Sequence, residues 1–177
     1  SVYIDNGPQA FDAGGVYVSP AMVPLKDKWA MLYHGASFKH GDATPDRIQY
    51  QGCVGMVTTP VDRFQGLHTD GTFEFSLRTF TLESSDLVVG VNADIKGELR
   101  MALTSYSYDP RYPYSYGPGP HWVQGAGFEE CVPLTGDVLD GRIRWRGHPD
   151  LKHLVGKPVE LRVAMKQATL YCAEIGC

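Results

Sequence analysis

Glu129 and Glu130 stand side by side in Gly127-Phe128-Glu129-Glu130-Cys131. Two carboxyl groups are the equipment of glycosidic-bond hydrolysis, one as acid and one as nucleophile or base. Neighbours in an extended strand point to opposite faces, however, so this pair does not converge on one bond. It reads as surface charge, and no catalytic residue is assigned. Arg142, Arg144 and Arg146 alternate with Ile143 and Trp145, which lines three guanidinium groups along one strand face. Such a stripe could dock an anionic sugar or a neighbouring domain. With Asp137, Asp140 and Asp150 nearby to balance it, a solvated face is the simpler reading. A third chemistry is stacking. Tyr106, Tyr108, Tyr112, Tyr114, Tyr116 and Trp122 sit among prolines and glycines in one stretch. Aromatic faces stack on sugar rings and on prolines, and a Tyr adds its hydroxyl at low entropic cost. These six are candidates for glycan or partner contact. The alternative is a loop that packs on its own domain.

The elements that must position these groups are strands. Twenty glycines and 12 prolines separate runs rich in Val, Tyr, Phe, Thr and Leu. Residues 15–25 and 29–35 flank the polar turn Lys26-Asp27-Lys28 and read as a hairpin. Residues 47–59 return as a third strand, in which Gly52 and Gly55 suggest close backbone approach. Residues 71–82 hold two short alternating strands. Residues 87–93 and 97–103 read as two more, the second with Leu99, Met101 and Leu103 on one face. Residues 141–145 should turn Ile143 and Trp145 inward. Residues 158–165 should do the same with Val159, Leu161, Val163 and Met165. Residues 151–155 are the one plausible helical turn, of 3₁₀ type. Residues 105–122 can hold no regular element at their proline density. The expectation is an all-β chain, with an antiparallel β-sandwich from about residue 70 whose strands bury one face and expose the other.

Bulk properties narrow the function. The net charge of −4 argues against a nucleic-acid binder, which needs a basic face for phosphates. No apolar run approaches the roughly 20 residues of a membrane-spanning helix. The cysteines Cys53, Cys131, Cys172 and Cys177 form no CxxC pair, and no Cys/His set has zinc spacing. Thiols are favoured over a disulfide. No metal or other cofactor is implied.

The turn-like motifs of the second half, in order, are Gly97-Glu98-Leu99-Arg100, Gly127-Phe128-Glu129-Glu130-Cys131, Leu134-Thr135-Gly136-Asp137, Arg142-Ile143-Arg144-Trp145-Arg146-Gly147, Pro149-Asp150-Leu151, Leu154-Val155-Gly156-Lys157-Pro158-Val159-Glu160-Leu161-Arg162 and Ala168-Thr169-Leu170-Tyr171. Their order and spacing resemble the C-terminal β-sandwich attached to five-bladed propellers of glycoside hydrolase families 32 and 43. Residues 7–66 then look like the last propeller blade, and Val61-Asp62-Arg63-Phe64-Gln65-Gly66-Leu67 like the connector. The resemblance implies a blade-like segment over residues 1–69 and a jelly-roll-like sandwich over 70–177. It implies a carbohydrate partner, secretion or an extracellular setting, and catalytic carboxylates that lie on other blades outside this chain. It also puts Asp12 and Tyr17 of Phe11-Asp12-Ala13-Gly14-Gly15-Val16-Tyr17 near the sugar site, with His34 and His40 as further substrate-binding candidates. Plainer readings stand beside these: a turn cap for Asp12, a satisfied buried imidazole for His34, a solvated loop imidazole for His40. Two functions follow. The chain is either the tail of a glycoside-hydrolase-like enzyme, inactive alone, or a non-catalytic structural or carbohydrate-binding protein that self-assembles through its strand edges.

Overall fold

A computed structural model describes residues 6–8, 11–39, 41, 52–105 and 121–176. The chain divides into two units, Ser1–Phe64 and Gln65–Cys177. Both are antiparallel β-structure, and no α-helix occurs among the described residues. The all-β expectation therefore holds.

The first unit is a three-stranded meander of β1 (Gly15–Leu25), β2 (Lys28–Ala36) and β3 (Gly52–Pro60), with β2 in the middle. The hairpin predicted from residues 15–25 and 29–35 is present, and Leu25 pairs with Lys28 across a two-residue turn. Lys26 in that turn has φ 53°. Both glycines of β3 make room for rings from β2. A Cβ at Gly55 would collide with the Tyr33 ring, and one at Gly52 would sit 2.8 Å from His34 Nε2.

The second unit is built on two long strands, β6 (Val88–Ser105) and β9 (Pro158–Gly176), paired along most of their length. β4 (Leu67–Ser76) and β5 (Phe80–Thr81) lie on the other side of β9. β7 (His121–Trp122) and β8 (Leu134–Arg142) lie on the other side of β6. The two strands predicted at 87–93 and 97–103 are one strand. It absorbs irregularities between Asn92 and Ala93 and between Ile95 and Glu98, which local alternation reads as a break. Gly97 at the second of these approaches the Lys166 backbone so closely that a Cβ would collide with it.

The core lies on one face of this sheet. Leu99, Met101 and Leu103 of β6 and Val159, Leu161, Val163 and Met165 of β9 are buried there, as their alternation predicts. The opposing layer is not regular strand. It consists of Leu82, Val123, Ala126, Cys131, Ile143, Trp145, Leu151 and Leu154 from loops, turns and the 3₁₀ turn Lys152–Leu154. Leu151 and Leu154 are three residues apart, so they eclipse on one side of that turn. Trp145 and Ile143 point inward as expected, although β8 stops at Arg142 and Trp145 joins Cys131 by an isolated bridge. Glu129 and Glu130 belong to a turn and not to a strand.

Cys131 and Trp145 also close a gap in the sheet edge. β8 pairs with β6 up to Leu99, and β7 resumes at Thr104. Between them the Met101 N–H donates to Cys131 Sγ at 3.3 Å, and Trp145 Nε1 donates to the Met101 carbonyl at 2.9 Å. Leu103 N–H donates to the Ala126 carbonyl at 2.8 Å. Buried backbone groups must be paired, and here side chains and a turn replace the missing strand. Burial pushes the Cys131 thiol above its ordinary range, opposed in part by the Met101 N–H and by Arg100 and Arg146.

Candidate functional site

In the first unit, register decides which candidates meet. Tyr33 is paired with Val18 and Gly55, and His34 with Tyr17 and Val54. Successive residues leave opposite faces of a strand, so Tyr33 and His34 mark the two faces of the meander. On the His34 face, the Tyr17 and His34 rings are neighbours, with centroids 6.0 Å apart. Both side chains are exposed.

Asp12 belongs to the other face. It is buried, and it accepts a hydrogen bond from the Tyr33 hydroxyl at 2.9 Å. The 11–14 turn lies over Gly35, where a Cβ would stand 2.7 Å from Asp12 Cβ and 2.9 Å from Phe11 Cδ2. Asn6 Nδ2 donates to the Ala13 carbonyl at 3.1 Å, and Gly14 N–H to the Ala36 carbonyl at 2.9 Å. The bond to Asp12 holds the Tyr33 phenol above its ordinary range, with burial and the Asp12 charge acting in the same direction. Asp12 is thus an anchor of the turn on the sheet, and it does not join Tyr17 and His34 in one pocket. His40 lies outside the described residues.

In the second unit, Tyr106, Tyr108, Tyr112, Tyr114 and Tyr116 lie outside the described residues, and Trp122 lies within them. Trp122 is paired with Thr104, on the sheet face opposite the core. The residue is 52% exposed. The guanidinium carbon of Arg162 lies 5.5 Å from its ring centroid, and the Phe128 ring 5.6 Å away at 60°. Arg162 is fixed by a 2.6 Å ion pair with Glu74. Beyond it, Thr72, Glu74, Glu98, Arg100 and Lys166 line a shallow groove of about 330 Å³. Arg100 bonds Glu98 at 3.0 Å and the Phe128 carbonyl at 3.2 Å. Each carboxylate of the groove is therefore engaged by a guanidinium. Sequence reasoning missed this surface apart from Trp122. The signal that could have found it is the outward phase of β6 and β9, where Glu98, Arg100, Arg162 and Lys166 alternate with the core residues.

A second arrangement also went unread. His68 Nδ1 lies 2.8 Å from Thr169 Oγ1, and Nε2 lies 3.1 Å from Asp70 Oδ1. Hydroxyl, imidazole and carboxylate are the groups of a nucleophilic triad. Here the Asp70 side chain is 99% exposed, and the three groups cap the bulge where β4 loses register after Thr69. The arrangement is structural. The arginine stripe is exposed, with Arg142 paired to Asp140 at 2.9 Å. Among the described residues, no three His, Cys, Asp or Glu side chains form a metal cluster. No protein-family model, curated protein or solved structure matches the chain.

Proposed function

We propose that this chain is the C-terminal portion of a carbohydrate-active propeller protein of the glycoside hydrolase 32 and 43 type, with catalysis residing in blades outside the chain. The observation that carries the reading is the bare apolar face of the meander. On the His34 face Val23 is 52% exposed, Leu32 50%, Met56 59% and Val54 71%, although their alternation is that of a buried sheet face. Blades of a propeller cover such faces against one another. The motif order of residues 97–171 supports the same reading, and the second unit takes the part of the brace.

The purified 177-residue chain should then show no turnover of aryl glycosides or oligosaccharides. The polypeptide detected in its native source should run well above 19.5 kDa and should hydrolyse one of those substrates. A native polypeptide of 19.5 kDa, or turnover by the chain itself that a single Asp or Glu change abolishes, overturns the proposal. The same bare face, with β1 and β3 as open edges among the described residues, supports a second reading in which copies of the chain cover one another. Concentration-dependent sedimentation of a native 19.5 kDa species would establish that alternative.

A further inference from the structure

We propose that the outer face of the second unit, from Trp122 to Lys166, is a binding site for a short acidic oligosaccharide. The inference does not rest on the propeller reading, because every residue involved lies in the second unit. It begins with how Trp122 is held. An aromatic residue binds a sugar ring best when one face is free and the ring is already fixed. Arg162 stacks on Trp122 with its guanidinium carbon 5.5 Å from the ring centroid, and Phe128 braces the ring at 60°. Arg162 is itself clamped by Glu74 at 2.6 Å. The ring is therefore pre-set, and yet 52% of the residue faces solvent.

From this platform β9 leads along the groove. Arg162, Ala164 and Lys166 share the outer face, and Arg162 and Lys166 lie four residues apart, about 13 Å along an extended strand. Between them Glu74, Glu98 and Arg100 present carboxylate acceptors and guanidinium donors side by side. That mixture suits vicinal hydroxyls, which donate and accept at once. The shallow floor at Ala164 suits a chain laid flat and not an apolar side chain inserted end-on. Charge selects within the class. The two ion pairs neutralise four of the groups, and Lys166 has no ion pair among the described residues. A uronate carboxylate at that end complements it.

Calorimetric titration of the 177-residue chain with short oligogalacturonates and with cello-oligosaccharides tests this. Oligogalacturonates should bind, more weakly as salt rises, and cello-oligosaccharides more weakly still. Trp122→Ala should weaken oligogalacturonate binding by about tenfold or more, the loss of one central aromatic contact. Lys166→Glu changes an exposed side chain, so its melting temperature should match the parent while oligogalacturonate binding falls and cello-oligosaccharide binding does not. Absence of oligogalacturonate binding at millimolar ligand overturns the proposal. So does a preference for the neutral sugar, or unchanged binding by Lys166→Glu or by a folded Trp122→Ala.

Discussion

The backbone of Met101 takes two hydrogen bonds from side chains, Cys131 Sγ accepting and Trp145 Nε1 donating. Removing either leaves a buried main-chain group unpaired. Trp145→Phe keeps most of the buried ring but strands the carbonyl, at about 1–3 kcal/mol. Trp145→Ala adds a cavity and should cost about 3–5 kcal/mol. Urea denaturation of both variants should rank them in that order. Cys131 should resist a thiol reagent in the native state while Cys53, which is exposed, reacts at once; unfolding should expose Cys131. Because the folded thiol titrates above its unfolded value of 9.0, its contribution is complete below that pH and is lost as pH rises through the folded value. Tyr33 follows the same sign from 10.0. An ultraviolet pH titration of Tyr33→Phe should lack one late-ionising phenol, and equal late phases in variant and parent would break the Asp12–Tyr33 assignment. The inward face of Trp145 was legible in the sequence because Arg142, Arg144 and Arg146 alternate around it. The role of Cys131 was not, because Glu129-Glu130-Cys131 has no period that distinguishes a turn from a strand. Asp12, Tyr17 and His34 were grouped by the family resemblance and not by side-chain alternation, which does not carry through the turn that separates Asp12 from β1.

Among the elements, β9 shows most clearly what pattern reading loses. Met165 and Ala168 both face the core, three positions apart in a strand whose period is two. The change of phase falls at Gln167, with φ 46°. Both neighbours accommodate it there, since β4 skips from Thr69 to Thr72 and β6 from Ile95 to Glu98 opposite the same residue. Extra residues on flanking strands bend a sheet and increase its twist. A side chain in the left-handed region costs about 1–2 kcal/mol, so Gln167→Gly should stabilise the unit by up to about 1 kcal/mol. Gln167→Val should destabilise it by more than that, since a β-branched residue tolerates the conformation worst. Thermal melts of the two variants that shift together would show that the position carries no strain. Nothing in the local sequence marks Gln167, because the irregularity is set by pairing with two strands distant in the chain. The outward residues Arg162 and Lys166 fall on the near side of that change of phase, which keeps them on one face.

At the scale of the whole molecule the two units differ in what they bury. The second unit has a continuous core from Leu82 to Leu170. In the first, the buried apolar residues among those described are Ala30 and Ala36. Hydrogen exchange should therefore protect β6 and β9 far more than β1 and β3. Equal protection in a monomer would remove the argument from the bare face. Replacing Val54 and Met56 together with Glu should raise solubility without lowering protection of β9, because exposed apolar groups on an uncovered face drive association.

The order of strands across the second unit bears on how the chain is made. β9 lies between β4 and β6, and it follows both in the sequence. A ribosome delivers the chain from the N-terminus, so β4 emerges without β9, its one hydrogen-bonded neighbour among the described residues. Leu67 must wait about a hundred residues for Leu170, and the β9 edge of β6 stays unpaired until Pro158 to Gly176 have been synthesised. Pairing across such separations is slow. The second unit is therefore committed to folding late, in one event, when its middle strand arrives. An arrested nascent chain that ends before β9 should be digested by protease throughout residues 67–105, and one extended past residue 176 by a linker that clears the exit tunnel should resist.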